Sequence, residues 1–347
     1  MASSTRFVKS FADLLIAWHA KSGRHHLPWQ QSKDPYSVWV SEIMLQQTQV
    51  ATVINYYHRF MKKFPTIKAL ADADEEEVIQ LWSGLGYYRR ARFLHEGARM
   101  IMEEMEGVFP SHFDMMMKIP GIGRSTAGAI SAFSFNQKKA ILDGNVKRVL
   151  SRYFLVREWT GLPKTEKKLW GYAESLLPDK NIATYTQALM DLGATECSKK
   201  PLCETCPLKK TCLAFQKNKV HLVPAPRPHK KIPTETTHMV IIKHHDEVLL
   251  IKRPQGGIWG GLWSLPQYEG QSATSKAWIK KHCGLETSLI EKDLKASTTF
   301  THYKLDITYS ILEAKSQRAK FPHTWLSINT LEGAAIPAII RKILLKL

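Results

Sequence analysis

A glycine-rich turn followed by small residues is the feature that most constrains the fold of this chain. The turn is Pro120-Gly121-Ile122-Gly123, and residues 125–129 follow it at helical spacing. Glycine at positions 121 and 123 lets backbone N–H groups approach a ligand closely. A helix that begins there directs its positive end the same way, which favours a bound phosphate. The stretch predicts a helix–hairpin–helix that holds a nucleic-acid backbone without reading sequence; an ordinary tight turn between packed helices is the alternative.

The size and charge of the chain indicate how many domains it has and what kind of partner it binds. A chain of 347 residues exceeds one ordinary core, so about two or three domains are expected. Lys and Arg total 49 against 31 Asp and Glu, a formal charge of +18 that favours a polyanionic partner over an inert basic surface. No apolar run approaches the ~20 residues that span a bilayer, and the N-terminus lacks a signal-peptide core. We therefore expect a cytoplasmic protein that does not bind a membrane.

A helix predicted from Asp34-Pro35 through Val50 carries an acid that is out of place. Its apolar side chains indicate burial, and Glu42 lies among them. A carboxyl group held among apolar groups has a raised pKa and can act as a general acid near neutrality. A Glu on the helix surface is the alternative. The amides at positions 46, 47 and 49 need partners, which bases or phosphates would supply.

Two more stretches carry residue types suited to nucleic acid. The glycine-rich segment ends on a lone acid, Asp143, just before Gly144 and Asn145. Residues 84–92 hold two glycines, two tyrosines and three arginines. Aromatic rings can wedge between bases and arginine binds phosphate. A helix end followed by a solvated basic helix would have the same composition.

Four of the five cysteines crowd into one short stretch. They are Cys197, Cys203, Cys206 and Cys212, separated by five, two and five residues. In a reducing compartment this crowding indicates metal binding rather than disulfides. Four thiolates suit one iron–sulfur cluster or one structural zinc ion.

The pattern changes after a proline-rich linker around residues 216–233. Residues 238–243 and 248–252 flank a polar turn and predict a β-hairpin. Residues 275–283 and 336–347 predict helices, and residues 297–314 predict a pair of strands. The C-terminal domain is therefore expected to be α+β.

Together these segments resemble the MutY family of adenine DNA glycosylases over nearly the whole chain. The stretches that carry the resemblance are Leu27-Pro28-Trp29, residues 41–50, the hairpin with Asp143-Gly144-Asn145-Val146, and the four cysteines. The resemblance implies a mostly α glycosylase core of two helical subdomains, residues 1–217, and a linker at 218–234. A Nudix-like α+β domain that recognises 8-oxoguanine would follow at 235–347. The six-helix subdomain would span about 30–135, and the iron–sulfur subdomain would combine 1–29 with 136–217.

The family's functional roles fall on matching positions. Glu42 would protonate the adenine, and Asp143 would stabilise an oxocarbenium-like sugar, with Asn145 orienting a catalytic group or water. Gln47 and Tyr87 would fill or wedge the duplex as adenine flips out. The resemblance further assigns DNA contacts to Gly121, Gly123 and Ser125, 8-oxoguanine recognition to Thr301 and His302, and a [4Fe–4S] cluster to Cys197, Cys203, Cys206 and Cys212.

Four departures from related sequences bear on activity. The first cysteine gap is five residues where six is commonest, and Thr301 replaces Ser. Endonuclease III-type enzymes carry a nucleophilic Lys where this chain has Ser125, so a monofunctional glycosylase without lyase activity is expected. The helix after residue 275 lacks the carboxylates that hold Mg²⁺ in Nudix hydrolases, which predicts a recognition module.

The expected partner is double-stranded DNA with adenine opposite 8-oxoguanine or guanine. We expect the protein to act as a monomer associated with the nucleoid. Two alternatives are an endonuclease III-like glycosylase and lyase for oxidised pyrimidines, and a non-catalytic DNA-binding module. Ser125 and the second domain argue against the first alternative, and the presence of both acids argues against the second.

Overall fold

The computed structural model describes residues 2–228, 231–254, 256–268, 276–331 and 333–347. The chain divides into two compact units. The helical unit comprises Met1–Ala73 and Arg89–His229, and the C-terminal unit comprises Asp74–Tyr88 and Lys230–Leu347. None of the described helices is long and apolar enough to cross a membrane.

Twelve α-helices precede the first strand in the described residues, and the fifth of them belongs to the C-terminal unit. They are α1 (Ala2–Ser22), α2 (Pro35–Leu45), α3 (Val50–Lys63), α4 (Ile67–Ala71), α5 (Glu75–Leu81), α6 (Arg89–Glu104), α7 (Phe113–Met116), α8 (Arg124–Phe135), α9 (Gly144–Tyr153), α10 (Pro163–Ser175), α11 (Ile182–Ala194) and α12 (Leu213–Gln216).

A single apolar core joins the beginning of the chain to its middle. Phe11 and Leu15 of α1 are fully buried in a cluster with residues of α9, α10 and α11. The Phe11 ring meets the Tyr153 ring edge-on at 4.7 Å between centroids. This packing joins α1 to α9, whose first turn carries a predicted site residue.

Helix α2 is shorter than the sequence suggests. It begins at Pro35, where the Asp34 carboxylate accepts a hydrogen bond from Ser37 N at 3.0 Å. It ends at Leu45 instead of continuing to Val50, so the prediction of one helix through residue 50 is wrong. Buried Arg90 donates to the carbonyls of Ile43, Met44 and Gln46. A charged donor thus satisfies carbonyls that a longer helix would have bonded internally.

The hairpin between α7 and α8 is built around Gly121. Its φ of +81° favours glycine, and an added Cβ would lie 3.0 Å from Phe93 Cβ. At Gly123, directly before α8, an added Cβ would meet nothing within 4 Å. The hairpin predicted from the glycine spacing is present, and its second glycine borders open space at the N-terminus of α8.

The C-terminal unit is built on a mixed sheet, as the change of pattern predicts. Its described elements are β1 (Thr234–His244), β2 (Glu247–Lys252), β3 (Trp263–Ser264), β4 (Gln267–Tyr268), α13 (Lys276–Cys283), β5 (Thr287–Thr299), β6 (Lys304–Ala314), β7 (Thr324–Ser327) and α14 (Ala338–Leu344). The main strand order is β3-β2-β1-β6-β5, with β1 and β6 parallel. The predicted hairpin forms with His244 opposite Glu247, and β5 pairs antiparallel with β6.

Candidate active site

Glu42 lines a cavity of about 300 Å³ in the helical unit. Its neighbours in α2, Ser41 and Ile43, are buried, and Glu42 itself is partly buried. Burial and, secondarily, the charge of Asp143 raise the pKa of Glu42 to about 8. This carboxyl group therefore keeps its proton near neutral pH, which a general acid needs. The other residues lining the cavity include His19, Arg24, Leu27, Trp29, Gln30, Leu45, Val50, Phe133, Gln187 and Met190.

Asp143 is the N-cap of α9. Its carboxylate accepts a hydrogen bond from Val146 N at 2.7 Å. Burial raises the pKa of Asp143, while the backbone N–H groups of Val146 and Asn145 and the charges of Arg148 and Lys147 act in the opposite direction. The positive end of α9 adds to this stabilisation of the ionised form.

The fold brings the two predicted acids into one electrostatic neighbourhood, although they lie far apart in the chain. Asp143 contributes to the raised pKa of Glu42. Two neighbouring carboxyl groups do not both ionise easily in a buried site. Burial raises the pKa of both groups, but only at Asp143 do backbone donors and cations oppose the rise, so the negative charge is better stabilised on Asp143 than on Glu42. The arrangement supplies one neutral acid and one carboxylate.

Asn145 is held by Arg148, a residue that no sequence pattern singled out. Arg148 Nη2 donates to Asn145 Oδ1 at 2.9 Å, and Arg148 Nε donates to Cys197 O at 2.7 Å. Arg148 Nη2 also donates to Gly193 O at the end of α11. This arginine thus connects the first turn of α9 to the cysteine-containing segment and fixes the Asn145 side chain.

A second polar cluster in the wall of the cavity was also missed. Asp191 of α11 is fully buried, and it accepts hydrogen bonds from the backbone N and guanidinium of Arg24 at 2.6–2.8 Å and from Gln187 Nε2 at 2.8 Å. Burial alone would raise the pKa of Asp191, but donors from His19 and Arg24 lower it. The only signal in the sequence was an acid on the buried face of a predicted helix.

Several predicted DNA-contacting residues have partners within the protein. Ser125 Oγ accepts a hydrogen bond from Leu142 N at 3.0 Å, directly before Asp143. Gln46 Nε2 donates to Gly121 O and Thr126 Oγ1, both at 3.4 Å, so protein groups supply partners that we expected from DNA. Ser125 and Gln46 therefore stabilise the backbone next to Asp143 and the hairpin at Gly121.

Gln47 and Tyr87, the two predicted wedge residues, share an unusual backbone conformation. Gln47 has a φ of +58° and Tyr87 a φ of +49°. Both side chains are exposed, Tyr87 to 53%. Left-handed conformations are uncommon for residues other than glycine and persist where the surrounding structure enforces them.

The four clustered cysteines line one small cavity of about 30 Å³. The sulfur of Cys212 receives hydrogen bonds from backbone N–H groups of Phe215 and Ala214, and Arg152 Nη1 lies 3.4 Å from Cys197 Sγ. Donors of this kind stabilise thiolate ligands. Among the described residues, no group of three or more acidic, histidine or cysteine side chains is arranged to hold a single metal ion.

Thr301 and His302 lie at the tip of the hairpin between β5 and β6. Phe300 N donates to Tyr303 O at 2.8 Å and closes the turn, which leaves both side chains exposed. Thr301 Oγ1 lies 3.5 Å from His302 Nδ1. The turn therefore presents a hydroxyl and an imidazole side by side. Elsewhere in this unit, α13 carries no carboxylate.

Two family models match the chain, one in each predicted domain. Residues 40–175 match the HhH-GPD superfamily base excision DNA repair protein, and residues 237–346 match a NUDIX domain. The first match contains Glu42, Asp143 and Asn145, and the second contains Thr301 and His302.

Among solved structures, a thermostable thymine-DNA glycosylase matches with a TM-score of 0.57 and 28% identity, covering 62% of this chain and 99% of its own. A non-covalent endonuclease III–DNA complex matches with a TM-score of 0.52 at 22% identity, covering 61% of this chain and 97% of its own, which supports the fold alone.

Curated relatives match both units together. An adenine DNA glycosylase from Buchnera aphidicola subsp. Acyrthosiphon pisum is 38% identical over 339 residues, covering 96% of each chain. The Homo sapiens adenine DNA glycosylase is 32% identical over 404 residues, covering 97% of this chain and 73% of its own. With a paired acid and carboxylate in the helical unit and a match that runs through the C-terminal unit, the chain belongs to the adenine DNA glycosylase family.

Proposed function

We propose that this protein is a DNA glycosylase of base excision repair that removes adenine paired with 8-oxoguanine or guanine. The observation that carries the proposal is the pairing of Glu42, whose pKa is raised to about 8, with Asp143 at the N-terminus of α9. Removal of a neutral base needs a proton donor for the base and a negative charge for the sugar. The two carboxyl groups supply one of each.

The reaction follows from these two environments. Glu42 gives its proton to a ring nitrogen of the flipped adenine, which leaves with the electron pair of the glycosidic bond. The ionised Asp143 faces the positive charge that develops on the sugar, and Asn145, held by Arg148, orients the attacking water. Water adds to the sugar carbon and gives a proton to the Glu42 carboxylate, which restores the acid, so the products are free adenine and an abasic site. Gln47 and Tyr87 fill the duplex while adenine is extruded.

We further propose that the enzyme hydrolyses without cleaving the DNA strand. A lyase needs an amine that forms a Schiff base with the sugar. The hairpin position that would carry it holds Ser125, whose Oγ is engaged by Leu142 N. A hydroxyl in this place supports the backbone before Asp143 and offers no nucleophilic amine.

The four cysteines are proposed to bind a [4Fe–4S] cluster. The cavity they surround, the N–H donors to sulfur and the nearby Arg152 fit that group. A cluster bound there would crosslink the segment from Cys197 to Cys212. Arg148 and Arg152, which donate to the backbone of that segment, would hold it against α9.

Recognition of 8-oxoguanine is proposed for Thr301 and His302, in a domain that does not hydrolyse nucleotides. Along the sequence we propose domain boundaries at 1–217 and 235–347, joined by a linker at 218–234, although the segment Asp74–Tyr88 belongs to the C-terminal compact unit. The same function leads us to propose a monomer that works on nucleoid DNA in the cytoplasm.

The decisive experiment is a single-turnover assay on duplexes with adenine opposite 8-oxoguanine, guanine or thymine. We expect free adenine from the first two duplexes, none from the third, and strand breaks only after alkali or heat. Release of the damaged base from a further duplex that contains an oxidised pyrimidine, with a borohydride-trapped adduct, would instead establish an endonuclease III-type enzyme. Visible absorption together with about four iron atoms per chain would support the cluster, and stoichiometric zinc would contradict it.

A further inference from the structure

The segment Asp74–Tyr88 belongs to the C-terminal unit, although the residues before and after it belong to the helical unit. Near its start, Glu76 accepts a hydrogen bond from Trp263 Nε1 at 2.8 Å and pairs with Lys252 Nζ at 3.0 Å. Trp263 lies in β3 and Lys252 ends β2. Because Glu76 and Lys252 are about half exposed, this pair adds little stability. It indicates where the first turn of α5 lies.

A stronger anchor lies at the other end of α5. Ser83 is buried, and its Oγ donates to Ala334 O at 2.6 Å. Arg341 Nη2 of α14 donates to Ser83 Oγ and to Ala334 O, both at 2.8 Å. Arg341 Nη1 also donates to Leu331 O. The guanidinium thus completes a closed triangle of hydrogen bonds, and its charge strengthens the two that it donates in this half-buried place.

The short loop after Ser83 connects this hydrogen-bonded residue to Tyr87. Gly84, Gly86 and Tyr87 have φ angles of +93°, +76° and +49°. Trp82 Nε1 donates to Gly86 O at 3.1 Å, and Gly84 N donates to Tyr88 Oη at 3.2 Å. The rings on both sides of the loop therefore fix its backbone. Where Ser83 is held, the left-handed Tyr87 four residues later is held too.

We propose that Arg341 is a positioning residue for base extrusion: through Ser83 it fastens the loop that carries Tyr87 to the C-terminal unit. The inference rests on the proposed function, because Tyr87 acts as the wedge only if adenine is flipped. Thr301 and His302 belong to the same unit. The residues that sense the opposite base and the residue that enters the stack are therefore anchored to one body. Loss of Arg341 should weaken extrusion and reduce the preference for 8-oxoguanine.

The first test needs no substrate. Hydrogen exchange is measured on the full chain for the amides of Ser83 and Leu85, which donate to Gln80 O and Trp82 O. Arg341→Met and Ser83→Ala should each speed their exchange by about tenfold or more, since the loop opens locally. The control is Lys342→Met, which removes the same charge from an exposed neighbour on α14 and should leave the exchange unchanged. Unchanged exchange in Arg341→Met would overturn the anchor.

The second test is a double-mutant cycle with Tyr87→Ala. Arg341→Met should slow single-turnover adenine release opposite 8-oxoguanine by about tenfold and should have almost no further effect once Tyr87 is removed. If the two losses multiply, Arg341 acts independently of Tyr87 and the proposal fails. Arg341→Lys keeps the charge but not the forked geometry, and it should restore only part of the rate.

The hydrogen-exchange test and the kinetic test can fail independently, so a failure of the positioning role can be told apart from a failure of the proposed function. If the wild-type chain releases no adenine, the proposed function fails, while the exchange arm still decides whether Arg341 anchors the loop. If adenine is released but Tyr87→Ala is as active as the wild type, the wedge assignment and the positioning role fail together. Fast exchange in Arg341→Met with a normal rate and a normal preference for 8-oxoguanine would also overturn the positioning role.

Discussion

Glu42 on α2 and Asp143 at the start of α9 are both carboxylic acids, yet their surroundings differ. Glu42 stands on an apolar helix, and burial raises its pKa to about 8. Asp143 caps a helix and receives two backbone N–H groups. Because the chemical group is the same, the different roles of the two acids, proton donor and negative charge, must come from where hydrogen-bond donors lie around them. Removing or inverting either environment should therefore change the rate of adenine release or the stability of the fold.

The largest effect is expected from removing the proton of the neutral acid. Glu42→Gln keeps the size and the polarity of the side chain but cannot donate a strong acid proton. We expect adenine release to slow by about 10³–10⁴-fold, with DNA binding retained, as measured by single-turnover release and by filter binding. Release within tenfold of the wild type would mean that another group protonates adenine.

A smaller loss is expected at the charged partner. In Asp143→Asn the amide oxygen can still cap α9, because Asn is as good an N-cap as Asp, so the fold should survive. Loss of the negative charge opposite the sugar should slow release by about 10²–10³-fold. Circular dichroism provides the control for folding. A folded variant with the wild-type rate would rule out electrostatic stabilisation by this residue.

The raised pKa of Glu42 also makes stability depend on pH. Between about pH 4.5 and 8 the folded protein keeps this proton while the unfolded chain loses it. The contribution is complete below about pH 4.5 and is lost as the pH rises through about 8. Over that window the free energy of unfolding should fall by up to about 1.4 kcal/mol per pH unit. Denaturant titrations of the wild type and Glu42→Gln should show a shallower slope in the variant, and parallel slopes would contradict the shift.

The smallest effect is expected from Ser125→Ala. The change leaves Leu142 N without its partner, at a cost of about 1 kcal/mol in the free energy of unfolding. Because Leu142 directly precedes Asp143, the rate should fall several-fold. Ser37→Ala, which removes a hydroxyl bonded to Asp34 O in α2, provides a matched hydroxyl deletion away from Asp143. An equal loss of rate in both variants would argue against a local role for Ser125.

Much of this architecture was predictable because it depends on local patterns. Gly121 predicted the hairpin, because only a residue without a Cβ suits both its positive φ and its close contact with Phe93. The two apolar runs on either side of the polar turn at residues 244–247 predicted the first two strands, which pair as expected. The end of α2 at Leu45 was not predictable, because it depends on Arg90, which lies 45 residues further along the chain.

The amino-acid sequence was enough to predict the main features of the protein. These are two acids, four clustered cysteines, a glycine hairpin and an α+β region beyond a proline-rich linker. The sequence also determined the family, through the order and spacing of those residues. Only the tertiary structure decided that Asp143 lies near enough to raise the pKa of Glu42, that Arg148 holds Asn145, and that Arg341 secures Ser83. The reason is the distance along the chain over which each kind of interaction acts. Propensity and periodicity act over a few neighbouring residues, whereas burial, charge and hydrogen bonding depend on groups that only the folded chain brings together.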